Sequence, residues 1–391
     1  EQGCNKEFNT SGKHLLTALA PNERKSGFYL LDFAKGESPL VYEDAEISNL
    51  IVSDGGNAIA FKEQTFDESP SIRVMSLSKP AAIITAVESN PHQKQFTWGS
   101  SKLIHYEDSH KNKLNGALFY PAGYEAGKKY PMIVYIYEKE TYALHQYVNP
   151  TLENNNGFNV TNLTHQGYFV LMPDIEYREG DTGVSALDCI TAAVRSVLAM
   201  GCVNPAKVGL FGHSFGGYEV NFIVTQTKMF AAAASGSASA DIVSNYLEYK
   251  NHFECLDLWH FENQQYRMGK SFYDDQEAYH RNSPIEHASN ITTPLLSWVG
   301  SKDNSVNPAQ LMELYIALRR LKRKNIMLVY RDDGHVFSKT ENQVDFTCRL
   351  EEWFDYYLKD GPIKPWMVAE SSGLASEQIS DHPISPNDRM K

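Results

Sequence analysis

A chain of 391 residues is longer than one hydrophobic core usually serves, so two structural units are expected. Its net charge of -12 argues against nucleic acid or an anionic membrane surface as a partner, because both reward a basic surface. No apolar run approaches the roughly 20 residues needed to cross a bilayer, so no membrane span is expected.

Residues 1 to 97 read as short strands split by turns. Gly27–Phe33 is one strand candidate. The turn Asp54-Gly55-Gly56-Asn57 leads into a second at Ala58–Phe61. Ile72–Leu77 alternates apolar and polar residues, as a half-buried strand does. The pattern suits antiparallel sheet and one or two propeller blades. A whole propeller, at least four blades of about 40–50 residues each, does not fit in this length. Ser89–Lys94 reads as a linker.

From Phe96 onward strands alternate with helices, which predicts a largely parallel sheet covered on both faces. Pro131–Tyr137 is a continuous apolar run of the kind a buried strand requires, and Phe169–Met172 is the next. Leu187, Ile190, Val194, Val197 and Leu198 follow helical spacing. Val208–Phe211 and Phe230–Ala234 return to strand. Residues 245–281 break the rhythm with a polar, aromatic insertion, and Leu295–Val299 resumes it. Asn307 is placed to cap a helix that begins at Pro308 and carries Leu311, Leu314, Tyr315, Leu318 and Leu321 on one face. Ile326–Tyr330 is a late strand, and Phe346, Leu350, Trp353, Phe354 and Tyr357 mark a last helix. The expected fold is therefore α/β, preceded by a short all-β segment over 1–97. The α/β unit is expected over 98–360, and a polar tail over 361–391 is expected to dock on its own domain or a neighbouring chain.

Five scattered cysteines make no disulfide framework, though they leave room for one bridge, and no C-x-x-C pair offers a metal or redox site. The N-x-S/T triplets at Asn9, Asn159, Asn162 and Asn290 arise often by chance and carry no weight. Glu1 is not a start methionine and no signal-like stretch follows it, so processing or cloning is expected to have set this N-terminus.

The strongest chemical signal is Gly212-His213-Ser214-Phe215-Gly216-Gly217. It follows a strand and precedes a helical stretch, the setting of a nucleophile elbow. A serine hydroxyl needs a base, and on the α/β-hydrolase fold the order is serine, acid, histidine. Asp303 follows the strand ending at Val299, and His335 follows the strand ending at Tyr330. Each thus stands at a strand's C-terminal end, where open α/β sheets build their sites. Asp332 and Asp333 compete for the acid role, but they stand too close to His335 in sequence for the usual arrangement. His213, next to the serine, reads as structural. The oxyanion of a tetrahedral intermediate needs donors. The backbone N–H of Phe215 is the first, and the second is expected from the loop after the strand ending at Tyr137.

Over residues 96–360 these motifs resemble the prolyl oligopeptidase family of serine peptidases, and its dipeptidyl peptidase IV branch most closely. The marks are Gly212–Tyr218, Gly300-Ser301-Lys302-Asp303-Asn304-Ser305-Val306, Asp333-Gly334-His335 and the stretch Gly201–Gly209 ahead of the elbow. Tyr137-Glu138-Lys139 is similar to a bacterial, often Bacteroidetes-type, subgroup that has this in place of Tyr-Gly-Gly-Pro. The resemblance implies an α/β-hydrolase domain behind a β-propeller, here truncated at its N-terminal side. It also implies that the Tyr137 hydroxyl completes the oxyanion hole with the Phe215 N–H. Residues 245–281 occupy the place where the family builds its S1 pocket, with Tyr246, Tyr249, Trp259 and Tyr266 as candidate lining. In the dipeptidyl branch paired propeller glutamates hold the substrate amine, and no such pair can be assigned in 1–97.

The function expected is serine peptidase action on peptides, dipeptidyl or oligopeptidyl aminopeptidase in type, with no metal and no organic cofactor. Alternatives are an esterase on the same fold and a binding protein with an inert hydrolase-like domain. Kin of this type are commonly exported, which favours a periplasmic or secreted location. A homo-oligomer is among the arrangements the sequence allows.

Overall fold

The computed structural model describes residues 12–250 and 255–368. Cys4, the triplet at Asn9 and the tail beyond Val368 lie outside the described residues.

The first seven strands form two antiparallel sheets. β1 (Lys13–Ala20), β2 (Lys25–Asp32) and β3 (Gly36–Glu43) make one, and β4 (Glu46–Val52), β5 (Ala58–Gln64), β6 (Ser71–Ser76) and β7 (Lys79–Glu88) make the other. Period-2 alternation sends Phe28, Val41, Ile47, Ile59, Phe61 and Met75 to one side of their strands, where they share a small core. The segment expected as a linker is tied down: Asn90 Nδ2 donates to Tyr147 Oη at 3.2 Å and to Asn149 Oδ1 at 3.0 Å. Trp98 Nε1 donates to the Phe66 carbonyl at 2.9 Å, and Phe66 itself packs edge-on against Phe119 of the main sheet.

Two strands that the sequence reading did not single out open the second unit. β8 (Ser100–Glu107) and β9 (Lys113–Tyr120) pair antiparallel at one edge of an eight-stranded sheet. Then come β10 (Tyr130–Ile136), α1 (Val160–His165), β11 (Phe169–Pro173), α2 (Thr182–Ala199), β12 (Val203–His213), α3 (Phe215–Gln226) and β13 (Ala232–Gly236). The insertion folds as short pieces: α4 (Ile242–Tyr246), the hairpin β14 (Tyr249–Lys250) and β15 (Cys255–Leu256), α5 (Leu258–Glu262) and α6 (Gln276–Arg281). β16 (Leu295–Gly300), α7 (Ala309–Arg320), β17 (Asn325–Tyr330), α8 (Thr340–Leu358) and α9 (Pro365–Val368) complete the chain.

The sheet order is β17-β16-β13-β12-β10-β11-β9-β8, with the six strands from β17 to β11 mutually parallel. Both faces are covered. On one, Ile190 and Val194 of α2 and Val220, Ile223 and Val224 of α3 pack on Met132, Val134 and Leu210. On the other, Phe346, Leu350, Trp353 and Phe354 of α8 pack on Phe211 and Trp298. Each such side chain contributes roughly 1.5–3 kcal/mol on burial, so the sheet and its helices set one rigid frame for the loops at the strand ends. Among the described helices α2 alone has the length and apolar composition to cross a membrane. Its apolar residues Ala186, Ile190, Ala193, Val194 and Val197 are nonetheless buried in this core. At the start of α7 the Asn307 carboxamide oxygen accepts the Ala309 N–H at 3.0 Å. Cys189, Cys202 and Cys348 carry free thiols.

Candidate active site

The polypeptide turns sharply at Ser214. Its φ is 58°, a left-handed conformation that costs a non-glycine residue about 1–3 kcal/mol, and its N–H is fixed by the Gly236 carbonyl at 2.8 Å. The turn is possible because the residues two positions to either side, Gly212 and Gly216, lack side chains. A Cβ on Gly212 would collide with the Gly216 carbonyl, and one on Gly216 would collide with the carbonyl of Ile136 at the end of β10. This close approach brings the N-terminus of α3 against the segment that carries Tyr137.

The Ser214 hydroxyl lies 2.8 Å from His335 Nε2, and His335 Nδ1 lies 2.9 and 3.1 Å from the two oxygens of Asp303. The three residues come from loops after β12, β17 and β16, so adjacent and near-adjacent parallel strands deliver them to one rim. The Asp303 side chain is fully buried and the His335 ring is partly open to solvent. Burial alone would raise the Asp303 carboxyl. The hydrogen bond and charge of His335, with the N–H groups of Ser305 and Val306 at 2.9 and 3.0 Å, outweigh it and hold the group below its ordinary value.

Asp332 and Asp333 do other work. Asp332 takes a left-handed φ of 66° and pairs with Lys302 at 2.7 Å. Asp333 is buried and accepts from the Ser338 N–H and Oγ and from Asn342 Nδ2, while its carbonyl accepts the Lys302 N–H at 2.8 Å. The pair thus ties the histidine loop to itself and to the aspartate loop.

Phe215 is the first residue of α3, so its N–H has no acceptor within the helix and is open to an external one. Tyr137 follows β10. Its ring packs edge-on to that of Phe215 with centroids 6.2 Å apart, and its hydroxyl accepts from Gln265 Nε2 at 3.0 Å. The Glu138-Lys139-Glu140 segment is pinned rather than loose. Glu138 pairs with Arg267 at 2.6 Å, Lys139 with Glu176 at 3.1 Å, and the Glu138 carbonyl accepts the Ile175 N–H at 2.7 Å. Arg267 in turn lies over the Tyr177 ring, 4.3 Å from its centroid. Tyr177 contacts both the Tyr137 carbonyl, at 3.0 Å, and the buried Glu219. Burial pushes the Glu219 carboxyl far above its ordinary range.

The cavity beside Ser214 is lined by Phe215, Asn245, Asp257, His260, Phe261, Gln265, Tyr266, Ser305 and Val306. Of the four aromatic residues expected there, only Tyr266 lines it, buried and hydrogen-bonded to Ser239 at 2.7 Å. Tyr246 points away into a cluster with Phe261, Phe272 and Tyr279 and bonds Glu262 at 2.7 Å. One residue along α4 is a turn of about 100°, so Asn245 faces the cavity and Tyr246 does not. Tyr249 and Trp259 are more than half exposed and lie outside the lining. Sequence reasoning missed Asn245, Asp257, His260 and Gln265, since no motif marks polar residues in an irregular insertion. Away from this site Asp108, His110 and Asp188 approach one another closely, but the Arg178 guanidinium already sits 3.1 Å from His110 Nδ1 and 3.7 Å from Asp188.

Residues 157–361, which contain Ser214, Asp303 and His335, match the sequence model of the prolyl oligopeptidase family. The chain belongs to that family. It is 24% identical over 371 residues to the uncharacterized peptidase YuxL of Bacillus subtilis, covering 85% of this chain and 52% of that one. With dipeptidyl-peptidase 5 of Porphyromonas endodontalis it shares 24% identity over 277 residues, 66% of this chain and 38% of that one. Its fold superposes on the acylaminoacyl peptidase of Pyrococcus horikoshii with a TM-score of 0.70 at 17% identity, covering 90% of this chain and 55% of that one. The chain therefore spans about half the length, or less, of these prolyl oligopeptidase family relatives. The architecture is the α/β-hydrolase fold preceded by an all-β, propeller-like segment.

Proposed function

We propose that this chain carries the catalytic unit of a serine peptidase that cleaves peptide bonds through an acyl-enzyme, most simply as a dipeptidyl or oligopeptidyl aminopeptidase. The observation that carries the reading is the unbroken line of hydrogen bonds from Ser214 Oγ through the His335 ring to Asp303. Family membership and relatives named as peptidases support it.

In this reading Ser214 Oγ attacks the scissile carbonyl carbon as its proton passes to His335 Nε2. Asp303 fixes the ring with hydrogen on Nδ1 and stabilises the imidazolium. The carbonyl oxygen becomes an oxyanion that takes hydrogen bonds from the Phe215 N–H and the Tyr137 hydroxyl. His335 then protonates the leaving amine as the C–N bond breaks, and Ser214 is left as an ester. Water, deprotonated by the same imidazole, attacks that ester, and the serine leaves with its proton restored. The domain limits 1–97, 98–360 and 361–391 belong to the same proposal.

A fluorophosphonate probe and paired chromogenic substrates test it. Expected are covalent labelling at Ser214, loss of labelling in Ser214→Ala, and turnover of dipeptide anilides. Cleavage of simple esters without any amide would sink the peptidase reading. Absent labelling of folded protein would sink the enzyme reading altogether.

A further inference from the structure

Four polar groups run in a line from Asp257, in the cavity lining, to the Tyr137 hydroxyl. Asp257 Oδ2 lies 3.0 Å from His260 Nδ1, and His260 Nε2 lies 3.0 Å from Gln265 Oε1. Gln265 Nε2 lies 3.0 Å from the Tyr137 oxygen. The first three residues all line the cavity that holds Ser214, and none belongs to the serine–histidine–aspartate set.

The Gln265 amide is placed with Oε1 on His260 Nε2 and its NH2 toward Tyr137, whose oxygen accepts. An amide oxygen only accepts, so in this arrangement His260 Nε2 donates to it. The phenol hydrogen is left free to point elsewhere. With the amide reversed, Gln265 Oε1 would take the phenol hydrogen, and the hydroxyl would have none to give to an oxyanion.

We infer that Gln265, held in one orientation by the Asp257–His260 pair, is a positioning residue that directs the Tyr137 hydroxyl hydrogen into the active site. The inference rests on the reading of Tyr137 as an oxyanion donor. Substrate binding needs no such direction; charge development on the carbonyl oxygen does, so the effect falls on kcat rather than KM.

A double-mutant cycle on the whole chain tests it, with an amide substrate that the wild type turns over. Gln265→Glu keeps shape but offers only acceptor oxygens, so it captures the phenol hydrogen. It should lower kcat on the order of 10- to 100-fold with KM nearly unmoved, a loss comparable to that of removing one oxyanion donor. In a Tyr137→Phe background the same change should cost almost nothing. His260→Leu, which releases the amide to turn, should behave in the same way and serves if Gln265→Glu does not fold. Equal losses in both backgrounds, or no loss in either, overturn the inference while leaving the oxyanion role of Tyr137 intact. Full activity of Tyr137→Phe overturns that role and the inference with it.

Discussion

His213 reaches past the elbow to donate from Nε2 to the carbonyl oxygen of His335, 2.7 Å away. Burial first, and the neighbouring His335 ring second, push the His213 imidazole down to about 4, so it is neutral near pH 7 and its single hydrogen sits on Nε2. The bond ties the residue beside Ser214 to the backbone of the proposed base, across the gap between β12 and β17. His213→Leu should loosen the His335 loop and lower kcat about tenfold or more, with KM little changed. His213→Gln, whose amide reaches the same point, should recover most of the loss. A purely space-filling role would give the opposite ranking, because leucine suits a buried site better than an amide does.

Asp303→Asn separates geometry from charge. The amide oxygen can still accept the Ser305 and Val306 N–H groups, so the loop should stay folded. The ring of His335 loses the carboxylate that fixes its tautomer, and kcat should fall roughly 10⁴-fold. Stability should change mainly with pH. The Asp303 carboxyl is lowered in the folded state, so its contribution is present above the unfolded value and disappears as pH falls through the folded one. Urea midpoints across the acid range should therefore converge for wild type and variant as pH drops.

The elbow, the two later loops and their order were legible because each hangs on a strong local pattern: an apolar strand, then a turn residue with chemistry. The β8–β9 pair was legible in principle too, since Ile104 and Tyr106 alternate as half-buried strand residues do. The lining of the cavity was not. In residues 245–281 helices of only five or six residues set which side chain faces Ser214, and a shift of one residue swaps Asn245 for Tyr246. Hydrophobicity drew attention to the aromatic residues, whereas packing sends Tyr246 into its own cluster and leaves Tyr249 and Trp259 at the surface. The hold on Glu138 was equally invisible, because Arg267 lies 129 residues away in sequence.

Gly216→Ala tests the contact between the elbow and β10. The new methyl would meet the Ile136 carbonyl, which belongs to the sheet and cannot yield cheaply. The start of α3 must shift, carrying the Phe215 N–H away from Tyr137. Denaturant unfolding should show about 1–3 kcal/mol of destabilisation, typical of overpacking. Activity per folded molecule should fall as well, measured at a temperature where the variant is fully folded. A variant of normal activity would show that the tight approach serves stability alone.

Glu140 gives the fold a pH dependence opposite in sign to that of Asp303. Its side chain is buried behind the Tyr137 loop, and burial above all raises the carboxyl from 4.5 to about 7, with the charges of Asp174 and Glu138 adding to the effect and a hydrogen bond from Tyr142 opposing it. Between those values the unfolded chain has released the proton while the folded chain still holds it. The folded state then binds more protons, so stability falls as pH rises through that window. The stabilisation is complete below the unfolded value and gone above about 7; at roughly 2.5 pH units it amounts to about 3 kcal/mol. Glu140→Gln keeps the shape without the titration. Unfolding free energies measured from pH 4 to 8 should therefore show the wild type losing ground to the variant between about 4.5 and 7. Parallel curves across that range would mean that Glu140 is solvated and charged in the folded protein.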